Sequence, residues 1–106
     1  MIKFEDFKKL DRRIGKVLVA EKIKGSDKLI KLEVDLGKEK KQLVVGMAEF
    51  FPPEYFLNKE LVILVNLEPR KFKGVESQGM VLAVDVGGTP ILLYPENDVP
   101  PGSIVK

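Results

Sequence analysis

Residues 29–69 read LIKLEVDLGKEKKQLVVGMAEFFPPEYFLNKELVILVNLEP, and the order of elements in this stretch decides the fold. Its first part, residues 29–37, alternates apolar and charged side chains, which is typical of a strand with one buried face. After a GKEKK turn, the apolar run at residues 42–48 predicts another strand. Residues 60–69 alternate again and predict a further strand, which ends at Pro69 because proline lacks the backbone N–H that a β-ladder needs.

A short helix is predicted between the last two of these strands. Residues 50–57, FFPPEYFL, contain a proline that fits the first turn of a helix, Pro53. Glu54 follows it, and its carboxylate suits the positive end of the helix dipole. The stretch therefore predicts strand, strand, short helix, strand.

The flanking sequence adds a strand on each side. Residues 14–24, IGKVLVAEKIK, are rich in β-branched and aliphatic residues and predict a long first strand. Residues 79–88, GMVLAVDVGG, predict the last strand of the barrel. An amphipathic helix is predicted over residues 3–10, and two short strands, residues 89–95 and 102–106, are predicted as a C-terminal extension.

Three strands, a helix and two further strands are the connectivity of an OB-fold. An SH3-like barrel is the competing small all-β architecture, but it usually lacks a helix at that point. We therefore predict an all-β protein: a five-stranded OB-fold barrel with a short helix between strands three and four, an N-terminal helix and a C-terminal strand extension. A length of 106 residues fits one domain, residues 1–106.

The composition excludes several kinds of site. The chain has no cysteine and no histidine, so it cannot supply a thiolate nucleophile, an imidazole base or a zinc site built from those residues. Phosphate-loop, dinucleotide and hydrolase-elbow motifs are absent as well. A Ser77 and Lys73 pair is conceivable, but an exposed loop serine beside a solvated lysine is far commoner. We expect no enzyme activity, no cofactor and no metal.

The basic residues are distributed unevenly, although the net charge is only +2. Residues 1–41 hold 13 Lys and Arg against 8 Asp and Glu, whereas residues 42–106 hold 5 against 8. Arg70, Lys71 and Lys73 form a separate cluster on the connection between the fourth and fifth strands. OB-folds commonly grip oligonucleotides there, so the cluster predicts contact with nucleic acid, although most charge runs are only solvated surface.

Other residues can extend this basic surface. Lys28 and Lys31 fall at or near the second strand, whose face binds ligands in OB-folds. The sequence around the cluster of Arg70, Lys71 and Lys73 adds polar and flexible side chains, namely Asn66, Ser77, Gln78 and Met80. Structural alternatives stay open for these four: the asparagine can cap a strand end, the serine and glutamine can satisfy loop backbone, and the methionine can be core. Few aromatic residues lie near this face, which favours structured RNA over sequence-neutral single strands.

Several segments resemble a known family over nearly the whole chain. DRRIGKV, SDKLIKLEVDLG, VVGMAEFFPPE, LVNLEPRKFKGVESQGMVLA and PGS together are similar to the tRNA-binding domain appended to methionyl-tRNA synthetases and found as free-standing small tRNA-binding proteins. The basic segment PRKFKG departs from the usual family pattern at Phe72, where methionine is frequent. The turn before DKL departs at Gly25 and Ser26.

This resemblance implies a non-catalytic OB-fold that binds the outer corner of tRNA and forms a homodimer through its C-terminal extension. It also implies a partner, the catalytic subunit of methionyl-tRNA synthetase, to which the chain would be an accessory subunit. The RNA-contacting positions it implies are Lys28, Lys31, Asn66, Arg70, Lys71, Lys73, Ser77, Gln78 and Met80. The alternative is an export-related or general peptide-binding chaperone built on the same barrel.

The location of the protein is expected to be cytoplasmic. The charged start MIKFEDFKKLDRR does not fit a secretory signal, and no apolar run approaches the length of a membrane span.

Overall fold

The computed structural model describes all 106 residues, which form nine strands, one α-helix and one 3₁₀ helix. The α-helix, α1, spans Phe4–Lys8, and the 3₁₀ helix spans Pro53–Phe56. The strands are β1 Arg12–Lys22, β2 Ile30–Asp35, β3 Lys40–Val45, β4 Glu60–Leu64, β5 Arg70–Phe72, β6 Val75–Ser77, β7 Met80–Val81, β8 Ala83–Val86 and β9 Thr89–Leu92. No helix is both long and apolar enough to cross a membrane.

Five strands form the main antiparallel sheet, in the order β3-β2-β1-β4-β7. The long β1 serves two neighbours: its first half pairs with β4 and its second half with β2. The register shifts between Val17 and Val19, and such a bulge bends a strand. The bend lets β1 pass from one side of the barrel to the other, and the side chains that alternate inward from β2, β3 and β4 meet in one core around Phe56.

The barrel closes where the edge of β3 meets the chain around β6 and β7. The amide of Gln78 donates to the carbonyl of Gln42 at 2.8 Å. The amide of Gln42 donates in return to the Gln78 side-chain oxygen at 2.9 Å, and the amide of Val44 donates to the Ser77 hydroxyl at 3.0 Å. The side chains of Gln78 and Ser77 thus accept hydrogen bonds from backbone amides at the edge of β3, which a neighbouring strand would pair in a regular β-ladder.

The C-terminal segment completes the free edge of β1. The amide of Ile14 donates to the carbonyl of Ser103 at 2.9 Å, and the amide of Gly102 donates to the carbonyl of Ile14 at 2.7 Å. Gly102 has a φ of +90° and lies against the carbonyl of Leu36, so a side chain there would collide with backbone. Glycine is therefore required for the close approach.

The predicted architecture is confirmed, with three differences in detail. The helix between the third and fourth barrel strands is a 3₁₀ turn. The predicted strand over residues 79–88 is divided: Met80–Val81 pairs with the barrel, whereas Ala83–Val86 leaves it and pairs with β9 in a separate hairpin. The strand predicted over residues 102–106 is reduced to one bridge, between Arg13 and Ile104.

Candidate nucleic-acid interface

The basic cluster lies on a β-hairpin, β5 and β6 with their connecting turn, which we call the arm (residues 70–77). The arm is closed by two residues, Lys73 and Gly74, whose φ angles are +53° and +81°. Positive φ at both positions is the type I′ geometry that matches the twist of a two-residue hairpin. Lys73 is thereby held at the tip in a left-handed conformation that few non-glycine residues adopt.

The three cations of the arm do not share a face. Arg70 and Phe72 are two positions apart and therefore lie on the same side of β5. The Arg70 guanidinium lies 5.1 Å from the centre of the Phe72 ring. Lys71 points to the opposite side, where its cross-strand neighbour is Glu76. The arm therefore offers positive charge on two faces and at its tip, a distribution suited to a curved polyanion.

The arm cations are not neutralised within the protein. Arg70, Lys71 and Lys73 form no ion pair, and Lys28 forms none either. Lys31 differs, because its ammonium lies 2.9 Å from the Glu21 carboxylate. Unpaired surface cations keep their full attraction for phosphate.

The register brings part of the predicted site into one row. Lys31 of β2 is opposite Val44 of β3, the amide of Val44 bonds to Ser77 of β6, and Ser77 is opposite Arg70 of β5. The strands β2, β3, β6 and β5 are therefore linked in series, and the part of the barrel that carries Lys31 is continuous with the arm. Lys28 lies outside this row, in the turn before β2, where its carbonyl accepts a hydrogen bond from the amide of Ala48.

Three of the predicted polar residues already have intramolecular partners. The Ser77 side chain is buried, with 4% exposure, and its hydroxyl donates to the carbonyl of Gly79 besides accepting from Val44. The Gln78 side-chain oxygen accepts from Gln42. Asn66 accepts from the amide of Asp11 at 2.8 Å and donates to the carbonyl of Lys9 at 2.6 Å. These bonds correspond to the structural alternatives, and the RNA contacts of these residues stay a prediction.

Met80 is not a core residue, since its side chain is 44% exposed. It lines a shallow cleft between the arm and the end of β4, together with Arg70, Phe72 and Ser77. A second groove, of about 300 Å³, runs over the barrel face beside Lys31 and Gln78. Lys71 and Lys73 line neither depression, because they lie on the outer face and the tip of the arm.

Sequence reasoning missed residues that the register adds to this surface. Lys40 and Lys41 of β3 line the barrel groove beside Lys31. The Lys41 ammonium donates to the carbonyl of Val65 at 2.9 Å, so Lys40 is the more available of the two cations. The pairing of β2 with β3 sets Lys40 opposite Asp35 and Lys41 opposite Val34, so these two lysines meet Lys31 only as lining residues of the same groove. No local pattern in the sequence places them together. No group of three or more acidic side chains is arranged to hold a metal ion.

The comparisons with known proteins agree with this geometry. A family model described as "Putative tRNA binding domain" matches residues 12–104. The methionine–tRNA ligase of Archaeoglobus fulgidus is 55% identical over 104 residues, which cover 98% of this chain and 16% of that ligase. The chain thus spans 16% of the length of this relative.

Two solved structures are similar over the whole chain. A MetRS-related protein from Pyrococcus horikoshii has a TM-score of 0.96 at 41% identity, and the match covers 100% of this chain and 98% of that one. The chaperone CsaA from Bacillus anthracis has a TM-score of 0.89 at 34% identity, with coverage of 100% and 99%. The overall fold of the chain is therefore shared with both.

Proposed function

The chain belongs to the family of tRNA-binding domains, and from this membership we propose that it binds folded tRNA without catalysing a reaction on it. The observation that carries the proposal is the arm, a hairpin with three cations, none of which forms an ion pair. The phosphate backbone supplies most of the affinity in such complexes, and unpaired lysine and arginine are what it requires. On this proposal residues 1–106 act as one domain, in the cytoplasm.

The nine predicted positions divide into two roles within this proposal. The first group holds phosphates: Lys28, Lys31, Arg70, Lys71 and Lys73. The second group, Asn66, Ser77, Gln78 and Met80, shapes the surface between the cations. Asn66 and Ser77 act mainly through the backbone groups that they hold in place. Groups that fix register and orientation need not read bases.

The partner proposed for the chain is the catalytic part of a methionyl-tRNA synthetase. The support is the identity of 55% with a segment of the Archaeoglobus fulgidus ligase, together with the structural match to a MetRS-related protein. An accessory tRNA binder raises the local concentration of tRNA for its synthetase, as any tethered binding module does for its partner.

A homodimer built through the C-terminal extension is also proposed. The β8–β9 hairpin leaves three aliphatic side chains exposed: Val84 by 44%, Val86 by 58% and Ile91 by 49%. Val84 and Ile91 are directly opposite each other, so they form one apolar patch. A patch of this kind on a small protein marks an interface, and a second copy would cover it.

The likeness to CsaA supports a second candidate function. That protein is described as a chaperone, and its structure matches this chain from end to end. On this alternative the barrel groove beside Lys31 would take an extended polypeptide rather than RNA. Competition decides between the two functions: an unfolded polypeptide should leave bound tRNA in place on the first proposal and displace it, or bind alone, on the second.

The main test is a fluorescence anisotropy titration of labelled tRNA, repeated over a series of salt concentrations. Counterion release requires that log affinity fall linearly with log salt, with a slope set by the number of phosphates neutralised. Folded tRNA should compete better than duplex DNA or single-stranded RNA. Absence of binding at low salt, with saturable binding of an unfolded polypeptide, would overturn the proposal in favour of the chaperone.

A further inference from the structure

The cleft between the arm and the end of β4 has walls of two kinds. Apolar side chains supply one kind: Leu67 and Met80, which are 37% and 44% exposed, and the half-buried Phe72. The charged side chains on the cleft are Arg70 and Glu68. Exposed leucine and methionine beside an aromatic ring make an apolar surface that nothing in the chain covers.

The charges around the cleft indicate what could occupy it. Lys71 and Lys73 lie close by on the same hairpin but outside the cleft, so they can hold phosphates at its border. Within the cleft the Glu68 carboxylate opposes the charge of Arg70 and disfavours a phosphate. The cleft therefore suits an uncharged, planar, largely apolar group attached to a phosphate backbone, which is the chemistry of a nucleobase.

Phe72 and Arg70 are arranged as such a base requires. The guanidinium lies over the ring, 5.1 Å from its centre, so it covers one ring face, and a base can extend this stack or take the place of the guanidinium on the ring. Unstacked bases of RNA stack on aromatic rings and on arginine planes. Ser77 and Gly79 also line the cleft. The Ser77 hydroxyl donates to the carbonyl of Gly79, so these groups do not require a polar partner from the ligand.

We propose that this cleft holds one unpaired nucleobase of the bound RNA, stacked on Phe72 and Arg70 and flanked by Met80. The inference rests on the proposed function and extends it from phosphate contact to base contact. The cleft is shallow, about 70 Å³, so the base lies against its wall rather than inside an enclosed pocket. Stacking of this kind tolerates any base, which makes the contact insensitive to tRNA sequence.

The absence of tryptophan from the chain allows a direct test. Phe72→Trp introduces a single fluorophore at the proposed stacking position, and a base stacked on it quenches its emission. Unfractionated tRNA should quench this variant at the same concentrations at which it binds by anisotropy. The control is Phe50→Trp, at an aromatic residue that is 45% exposed and therefore more exposed than the half-buried Phe72, in a groove with Asp85 and without any arm residue. That variant should bind tRNA without quenching.

A duplex without unpaired bases and a second probe position sharpen the outcome. A blunt RNA duplex, which has no unpaired base, should bind through its phosphates without quenching the Phe72→Trp fluorophore. If Phe72→Trp does not fold, Met80→Trp places the probe at another residue that lines the same cleft. Binding of tRNA by anisotropy with unchanged emission from both probes would overturn the base-stacking inference and leave the proposed function standing. Absence of tRNA binding to the wild-type protein would overturn both.

Affinity gives an independent check. Phe72→Ala should weaken tRNA binding about fivefold to a hundredfold, the range for loss of one stacked base, and leave the salt slope unchanged because no charge is removed. Phe72→Tyr keeps the ring and should bind as the wild type does. A Phe72→Ala protein that is folded and binds tRNA with wild-type affinity would count against the proposal.

Discussion

At the scale of single residues, Ser77 shows how a structural hydrogen bond can position a proposed binding residue. Its hydroxyl accepts from the amide of Val44 at 3.0 Å and donates to the carbonyl of Gly79 at 2.9 Å, so it fastens the base of the arm to the edge of β3. Arg70 lies opposite Ser77 in the hairpin. The position of the Arg70 cation thus depends on a serine that is itself almost completely buried.

Ser77→Ala should destabilise the protein by about 1–3 kcal/mol, because the amide of Val44 would lose its partner in a partly buried position. Urea denaturation measures the loss. Ser77→Thr, which keeps the hydroxyl, is the control for the hydrogen bond. Equal stability of the alanine variant and the wild type would show that water or another group replaces the serine.

Lys73 permits a charge to be removed without damage to the turn. Its φ of +53° is unfavourable for lysine but well tolerated by asparagine, so Lys73→Asn should keep the arm closed. The variant should bind tRNA more weakly and lower the magnitude of the salt slope by about 1, as expected for one phosphate contact. Lys3→Gln, an exposed lysine just before α1, is the matched loss of charge and should leave the slope unchanged. Equal slopes for Lys73→Asn and the wild type would remove Lys73 from the interface.

Tyr94 supplies a prediction about pH. Burial, a hydrogen bond with Tyr55 and the charge of that neighbour raise the pKa of Tyr94 to about 12. Between the ordinary pKa of about 10 and this value the unfolded chain loses the Tyr94 proton while the folded protein keeps it. The contribution of Tyr94 to stability is therefore complete below about pH 10 and is lost as the pH rises towards 12.

The tyrosinate absorbance of the Tyr55→Phe variant measures this effect directly, since the chain has only two tyrosines. Removal of the Tyr55 hydroxyl should lower the pKa of Tyr94 from about 12 towards its usual range, because one of the causes that raise it depends on that group. Titration of Tyr94 at the ordinary tyrosine pKa in the wild type would contradict the interaction between the two hydroxyl groups.

At the scale of elements, local pattern and tertiary closure can be separated. The alternation of residues 29–37 and 60–69 predicted β2 and β4, because one face of each strand is buried and the period of two is visible in the sequence. The division of residues 79–88 into β7 and β8 was not visible. It depends on the amide of Leu82 donating to the carbonyl of Val62, after which the chain leaves the barrel.

The candidate site shows the same limit. The composition of the arm predicted a basic hairpin, but the placing of Arg70 and Lys71 on opposite faces follows from the two-residue turn and its register. Apart from Gly79, which is two residues from Ser77, the partners of Ser77, Gln78 and Asn66 lie between 33 and 57 residues away, so no local pattern could identify them. Such contacts exist only once the barrel has closed.

The C-terminal segment is an element held by backbone contact, and Gly102 controls it. Gly102→Ala would place a Cβ against the carbonyl of Leu36 at a φ of +90°, so the segment should detach from β1. Hydrogen exchange of the Ile14 amide, which donates to Ser103, should then accelerate. Gly88→Ala is the matched control, because Gly88 has the same φ of +90° and open space around it. Equal exchange of the Ile14 amide in the two variants would show that strain, rather than collision, sets the effect.

At the scale of the whole molecule, the excess of cations in residues 1–41 is only partly available to a partner. Arg12 donates to the carbonyls of Phe7, Leu10 and Val105, and its guanidinium lies 3.9 Å from the centre of the Phe7 ring. Arg13 is paired with Asp11 and also donates to the carbonyl of Gly102. These two arginines join the N-terminal and C-terminal segments, so the arm carries more of the free positive charge than the simple count suggests.

The exposed apolar patch on the β8–β9 hairpin leads to the last prediction, which concerns assembly. Val84 and Ile91 are directly opposite each other and about half exposed, and a second copy of the chain would bury both. Replacing them together with glutamate would bring like charges together at the centre of the proposed interface, so the double variant should be a monomer in sedimentation experiments where the wild type is a dimer. Leu18→Glu, at a β1 residue with 36% exposure outside the hairpin, should remain dimeric.

The same variant relates assembly to binding. A dimer offers two arms to one tRNA, and engagement of the second arm is intramolecular once the first has bound. Loss of the dimer should therefore weaken tRNA binding by about tenfold or more and reduce the salt slope, because fewer phosphates are neutralised by each complex. A wild-type protein that sediments as a monomer would exclude the dimer. A monomeric double variant that retains wild-type affinity and slope would instead show that one arm suffices for RNA binding and that binding does not depend on assembly.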